Sequence, residues 1–326
     1  MTTLMIYGAT GYTGRMAAMY AQQAGLDLVV AGRDAGALVQ LASGLGVAAR
    51  TFALDDAGAA AAALDGVAVL LNCAGPFHRT AAPLMRACLA AGVHYLDIAA
   101  ELDGYLLADA LDAEARAAGV MLLPGSGGSV AMLGCLARHV LARVPDPAAI
   151  RIGLHVSGSM SRGSARSAAE NMTACLARVA GHLVAQDPGA LRDLDFGNGP
   201  VSCFPVTLPD LVTLWQDTRV GDIATCVHVS GDAFPQGDLA TLPDGPSAAQ
   251  RERDRYQAAV EVTDRTGRVH RAVLDTVNGY TFTPLAAVAS VRRVLAGQAR
   301  PGFQTPAGLF GADFVLGIAD TTITDF

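Results

Sequence analysis

The chain contains no lysine; all 23 of its basic residues are arginine. Arginine stays protonated in proteins, so it can hold anions but cannot act as a neutral base or form a Schiff base. A phosphate-binding P-loop, which needs its lysine, is excluded, as is the Tyr-x-x-x-Lys arrangement by which short-chain dehydrogenases activate a tyrosine. Aromatic residues are scarce, and no basic run offsets a net charge of −7, so a nucleic-acid partner is not expected. The cysteines, at 73, 88, 135, 175, 203 and 226, never fall at C-x-x-C spacing, and the histidines show no H-E-x-x-H. Neither a metal site nor a disulfide framework is therefore expected. Free thiols in apolar segments point to a reducing, cytoplasmic location. A signal peptide is not expected, because the first apolar run carries no charged n-region and no cleavage site. The longest uncharged stretch, 117–137, is broken by Pro124 and several glycines, which argues against a membrane span.

What is abundant is small and apolar. At 326 residues, 52% of them hydrophobic, the chain can fill the cores of two domains. Up to about residue 145, short apolar runs (TLMIYG, LDLVVAG, VAARTFAL, VAVLLNCAG, VHYLDIA, VMLLPGSG) alternate with helical segments, several closed by glycine at 25, 92 and 119. The runs lack strict alternation, as befits strands covered by helices on both faces. This pattern predicts an α/β fold with a doubly wound parallel sheet over residues 1–148. From Ala149 the rhythm changes, and residues 149–279 read as a smaller α+β domain for substrate binding or dimerisation. It should contain a strand at AIRIGLHVSG, a long helix over SARSAAENMTACLARVAGHLVA, and a hairpin turning at Asp264–Gly267. Residues 280–326 are predicted to pack back on the first domain.

The segment GATGYTG lies between the first strand and the first helix. In that setting Gly8 allows a tight turn, Gly11 a close approach to a pyrophosphate, and Gly14 close helix–strand packing. The backbone N–H groups of Thr10, Gly11, Tyr12 and Thr13 are expected to face the phosphates. The second strand ends in Arg33 rather than an acidic residue, which favours the 2′-phosphate of NADP over NAD. Asp34 would either repel that phosphate or cap the next helix. Asp55 closes the third strand near the adenine. Cys73, Ala74, Gly75, Pro76 and Phe77 carry the fourth across the cofactor.

The stretches GATGYTGR, AGRD and NCAGPFHRTAAPLMRACLAAGVHYLDIAAE resemble the NADP-binding half of the saccharopine dehydrogenase-like proteins, which include saccharopine reductases and trans-acting enoyl reductases. The resemblance is specific over residues 4–130 and weaker in SRGSARSAAENM and FQTPAGLFGADFVLGI. It implies a Rossmann domain, an inserted second domain, a returning carboxy-terminal segment and nicotinamide chemistry. After the sixth strand the chain departs from the enoyl-reductase-like pattern, with PGSGGS where those proteins carry a Cys-Gly-Phe-Asp type of segment.

Ligands of open α/β sheets lie beyond the carboxyl ends of the strands. That rule gathers His78, Glu101 and Ser126 near the nicotinamide. His78 is a candidate acid or an exposed residue at a helix start. Glu101 is a candidate for orienting substrate or a cap on the helix that follows. Tyr280 is a further candidate acid, or a structural tyrosine. Arg162, Arg166, Glu170 and Asn171 form a second cluster, either a carboxylate-binding set or surface ion pairs. The expected function is NADP-dependent hydride transfer to an imine-like or activated C=C bond of a small or lipid-like substrate. The alternative is an NADP(H)-binding sensor or scaffold. A homodimer is expected in either case.

Overall fold

The computed structural model describes residues 2–170, 174–231 and 242–326. Its amino-terminal sheet is built from β1 (Leu4–Tyr7), β2 (Leu28–Gly32), β3 (Ala48–Thr51), β4 (Val69–Asn72), β5 (His94–Asp97) and β6 (Met121–Leu123). Every residue of β1, β2, β4 and β6 is buried, because helices cover both faces. β3, with the sequence AART, is far more exposed, as an edge strand can be. The strands are all parallel and run β3-β2-β1-β4-β5-β6 in space. This is the doubly wound Rossmann order.

The second sheet comprises β7 (Pro147–Ser157), β8 (Leu176–Val179), β9 (His182–Ala185), β10 (Arg192–Asp195), β11 (Pro200–Pro205), β12 (Asp222–Ser230), β13 (Tyr256–Asp264) and β14 (Val269–Thr276). It is mixed. β7 and β12 pair in parallel, while β13 and β14 form an antiparallel hairpin turned at Gly267. The last part of the chain serves both sheets. β15 (Gly302–Phe303) extends the first sheet beside β6, and β16 (Thr322–Asp325) extends the second beside β14.

Two helices join the sheets. Gly128–Leu141 leaves β6, and nine of its residues are buried, from Val130 to Val140. It packs Leu133, Leu136 and Val140 among Ile150, Ile152, Ala258 and Val260 of the second sheet. Gly279–Arg293 returns and sets Ala287, Val288 and Val291 against Ala17, Ala18 and Ala21 of the first helix, Tyr12–Gln23. Small residues on both partners let these helix axes approach closely.

The long helix expected over Ser164–Ala185 is replaced. A helix spans Arg162–Glu170, and the chain then forms the antiparallel pair β8–β9. Between them Ala180 and Gly181 both adopt positive φ, 47° and 83°, the conformation of a type I′ hairpin turn. The apolar residues of LARVAGHLVA satisfy a period of two as well as a helical one, and pairing of β8 with β12 decides the matter. Among the described residues no helix is long and apolar enough to cross a membrane. All six cysteines are free thiols.

Candidate cofactor and active site

The carboxyl ends of β1, β2 and β4 open into one cleft of about 1560 Å³, which continues to the second sheet. At its first end the chain leaves β1 through Gly8, whose φ of 79° is a left-handed conformation. A Cβ on Gly8 would stand 2.7 Å from the backbone of Ala74. One on Gly14 would stand 2.2 Å from the carbonyl oxygen of Gly8, so only glycine lets the first helix press against the turn. Gly11 caps that helix without a side-chain hydrogen bond, and no acidic residue occupies its first turn. The leading N–H groups are thus left to an anion beside the cleft. This cradle fits the pyrophosphate of a dinucleotide.

Every other residue expected around the cofactor lines the cleft: Gly8, Thr10, Gly11, Tyr12, Thr13, Arg33, Asp55, Cys73, Ala74, Gly75, Pro76 and Phe77. Gly14 lies beneath them, buried in the helix–strand contact. Asp34 is occupied as a helix cap, its Oδ1 accepting from the N–H of Ala37 at 3.0 Å, which leaves Arg33 as the exposed cation at this corner.

The floor under the Ala74–Phe77 turn is a buried polar network. Asn72 Nδ2 donates to Tyr95 Oη at 3.2 Å and Tyr95 Oη donates to Asp97 Oδ2 at 2.7 Å. Asn72 Oδ1 accepts from the N–H of Ala74 at 2.9 Å, pinning the turn. Asp97 Oδ1 accepts from the N–H groups of Ala99 and Gly125 at 3.0 and 2.7 Å. Burial pushes the Asp97 carboxyl up to about 6, although those hydrogen bonds oppose the shift.

The sequence-based site residues divide. Ser126 belongs to the scaffold rather than to the substrate cavity. It is fully buried, and its Oγ donates to the Asp97 carbonyl at 2.8 Å. Glu101 lines the cleft, yet it does not cap the helix that follows it. Its carboxylate instead accepts from the N–H groups of Phe77 and His78, at 3.0 and 2.7 Å, and so caps the helix Phe77–Ala91 from across the fold. His78 is not among the residues lining the cleft. Its ring lies 3.8 Å from both Glu101 and Glu170, and its Nε2 accepts from Arg79 at 3.2 Å. Glu170 is engaged by Arg79 at 2.9 Å, tying the helix Arg162–Glu170 to the first domain. Arg162 and Arg166 both line the cleft, and Asn171 lies outside the described residues.

Tyr280 lines the cleft where the parts of the molecule meet. Its hydroxyl accepts from the N–H of Ser161 at 2.7 Å and donates to Ser164 Oγ at 3.0 Å. Its ring packs edge-on against Tyr12 of the glycine cradle, centroids 5.7 Å apart. Ser161 and Ser164 were not singled out in the sequence; their only signal was their place in SRGSAR. The far wall is apolar. Leu154 is paired in register with Val227, and Val156 with Val229, placing all four on one face of the second sheet. Met132, Met160 and Leu208 extend that surface. Among the described residues no group of three His, Cys, Asp or Glu side chains could hold a metal ion.

Residues 4–123 match the family model of the saccharopine dehydrogenase NADP-binding domain. Two curated relatives, from two strains of Mycobacterium tuberculosis and each carrying the assigned name of trans-acting enoyl reductase, are 34% identical to the chain over 105 residues. That match covers 30% of this chain and 25% of the relatives' own length. The fold as a whole is similar to that of the glutamate-forming saccharopine dehydrogenase of Saccharomyces cerevisiae, with a TM-score of 0.65 and 10% identity over 100% of both chains. The sheet order, the glycine cradle and the matched residues agree: residues 4–123 are similar to the NADP-binding domain of saccharopine dehydrogenases, and the fold as a whole resembles that of one such enzyme.

Proposed function

We propose that the protein is an NADP-dependent oxidoreductase that transfers a hydride between the nicotinamide and an imine-like or activated C=C bond of a small or lipid-like substrate. The observation that carries this reading is the continuity of one cleft, about 1560 Å³, from the glycine cradle to the apolar wall of the second sheet. Single small-molecule pockets run to roughly 300–1,000 Å³, so this one has room for a second ligand beside the cofactor. The relatives' names, reductase and dehydrogenase, support the same class.

Bound dinucleotide would supply the hydride chemistry; the chain supplies the rest. The cradle at Gly8 and Gly11 would hold the pyrophosphate, and Arg33, which lines the same cleft, would meet the 2′-phosphate. The wall of Leu154, Val156, Val227 and Val229 excludes water from the substrate side. Tyr280 holds the proton at its Oη. The Ser161 N–H already directed at that oxygen would stabilise it after proton transfer, and a solvent proton relayed through Ser164 Oγ would restore the hydroxyl. Among the described residues Arg166 is the cleft arginine without an ion-pair partner beyond Arg33, and it would serve an anionic group of the substrate.

The test is NADPH oxidation across a panel of imines, enones and carbonyl compounds, with Arg33→Ser in parallel. Turnover on one class is expected, and Arg33→Ser should weaken NADPH at least about tenfold while sparing NADH. Equal affinity of the natural protein for both cofactors would remove the NADP assignment. The second reading, a sensor without turnover, draws on the engagement of Glu101 in capping and the place of His78 off the cleft lining. Tight NADPH binding with no consumption across the panel would decide for it.

A further inference from the structure

Between Leu242 and Arg253 the chain crosses from the second domain over the mouth of the glycine cradle. Asp244 is the centre of this strap. Its carboxylate pairs with Arg15, on the first helix, at 3.0 Å and with Arg162, at the start of the helix Arg162–Glu170. Arg162 also holds the strap by its backbone, its N–H donating to the carbonyl of Asp244 at 3.3 Å. Gly245 lies on the Tyr12 ring, where a Cβ would stand 2.6 Å from ring carbons. Tyr12 Oη donates to the carbonyl of Pro246, and Arg251 donates to Tyr12 Oη at 2.6 Å.

We infer that Asp244 is an internal stand-in anion: Arg15 and Arg162 form a clamp for the dinucleotide's pyrophosphate, and the phosphate displaces the Asp244 carboxylate from it. Three observations lead there. Both arginines and Asp244 line the same cleft as Gly8 and Gly11. Arg15 is fixed toward the cradle, its Nη1 donating to the carbonyl of Thr10 at 2.8 Å, so its second nitrogen is free to exchange partners. The pairs themselves are easily exchanged, because the three side chains are 39–49% exposed and such ion pairs are weak. A pyrophosphate at a helix N-terminus carries more charge than one carboxylate and gains from the helix dipole as well. The strap therefore discriminates against weaker anions at the cradle, which must compete with Asp244. Arg162 is thereby assigned to the cofactor rather than to the substrate. The inference rests on the dinucleotide reading above.

The experiment measures NADPH and NADH dissociation constants, by ligand fluorescence and calorimetry, for the natural protein, Asp244→Asn, Arg162→Gln and the double variant. Asp313→Asn, a charge outside the cleft lining, is the control for net charge. Asp244→Asn is expected to bind both cofactors about three- to tenfold more tightly at low salt, and the gain should shrink at high salt. It should vanish in the double variant, and Arg162→Gln alone should bind more weakly than the natural protein. A change within about twofold, a gain equalled by Asp313→Asn, or one that survives Arg162→Gln would overturn the clamp while leaving dinucleotide binding intact. A gain confined to NADPH would overturn the assignment to the pyrophosphate. If no variant binds either cofactor, the functional reading and the clamp both fall.

Discussion

At the scale of single residues, Asp97 combines complete burial with a network of donors that holds the cofactor turn in place. Its carboxyl titrates near 6 in the folded protein and near 3.8 when exposed. The folded state therefore holds this proton more tightly than the unfolded state does. The stabilisation is complete below about pH 4 and is lost as pH rises through about 6. The shift corresponds to about 3 kcal/mol. Asp210, buried and raised to about 8, acts in the same direction over a higher window. Urea midpoints of the natural protein and of Asp97→Asn should thus converge toward pH 7 relative to their separation at pH 4. A separation independent of pH would show that Asp97 ionisation is not what opposes folding there. None of this was legible in the sequence, where HYLD reads simply as a strand end. That both Tyr95 and Asp97 point into one network follows from the register of β4 against β5.

At the scale of elements, the glycine cradle was legible because each glycine answers a local demand, a positive φ at Gly8 and a close approach at Gly14. The demand at Gly14 can be tested. In Gly14→Ala the new methyl group meets a backbone oxygen, which cannot swing aside as a side chain could, so the first helix must shift. Dinucleotide affinity should fall at least about tenfold, with a loss of about 1–3 kcal/mol in stability measured by denaturant titration. Unchanged affinity would mean the helix N-terminus does not position the phosphates. The hairpin β8–β9 was not legible, because its apolar spacing suits either secondary structure and its partner, β12, lies far along the chain. The cap supplied by Glu101 was misassigned for a related reason. Local spacing pointed to the helix beginning at Leu102, whereas the carboxylate reaches Phe77 and His78 across the sheet.

At the scale of the whole molecule, the cleft exists only because distant segments converge. Tyr280 begins the returning helix, Ser161 and Ser164 follow β7, and Tyr12 belongs to the first turn of the chain's first helix. The sequence could nominate Tyr280 but could not supply its partners. Tyr280→Phe removes the hydroxyl and keeps the ring against Tyr12. It should lower the turnover number about 100-fold or more while leaving NADPH affinity within about twofold. A proportional loss of both would point to a packing role instead. The same convergence limits motion. The chain passes between the two sheets three times, after β6, after β14 and again between β15 and β16. Two lobes tied by one linker can part like a clamshell, since a few hinge residues absorb the change. Lobes stitched three times can do so only if all three linkers bend together, which stiffens the hinge. The dwell time of a nucleotide in this protein would then depend more on the loosening of residues 242–253 than on the opening of the whole body.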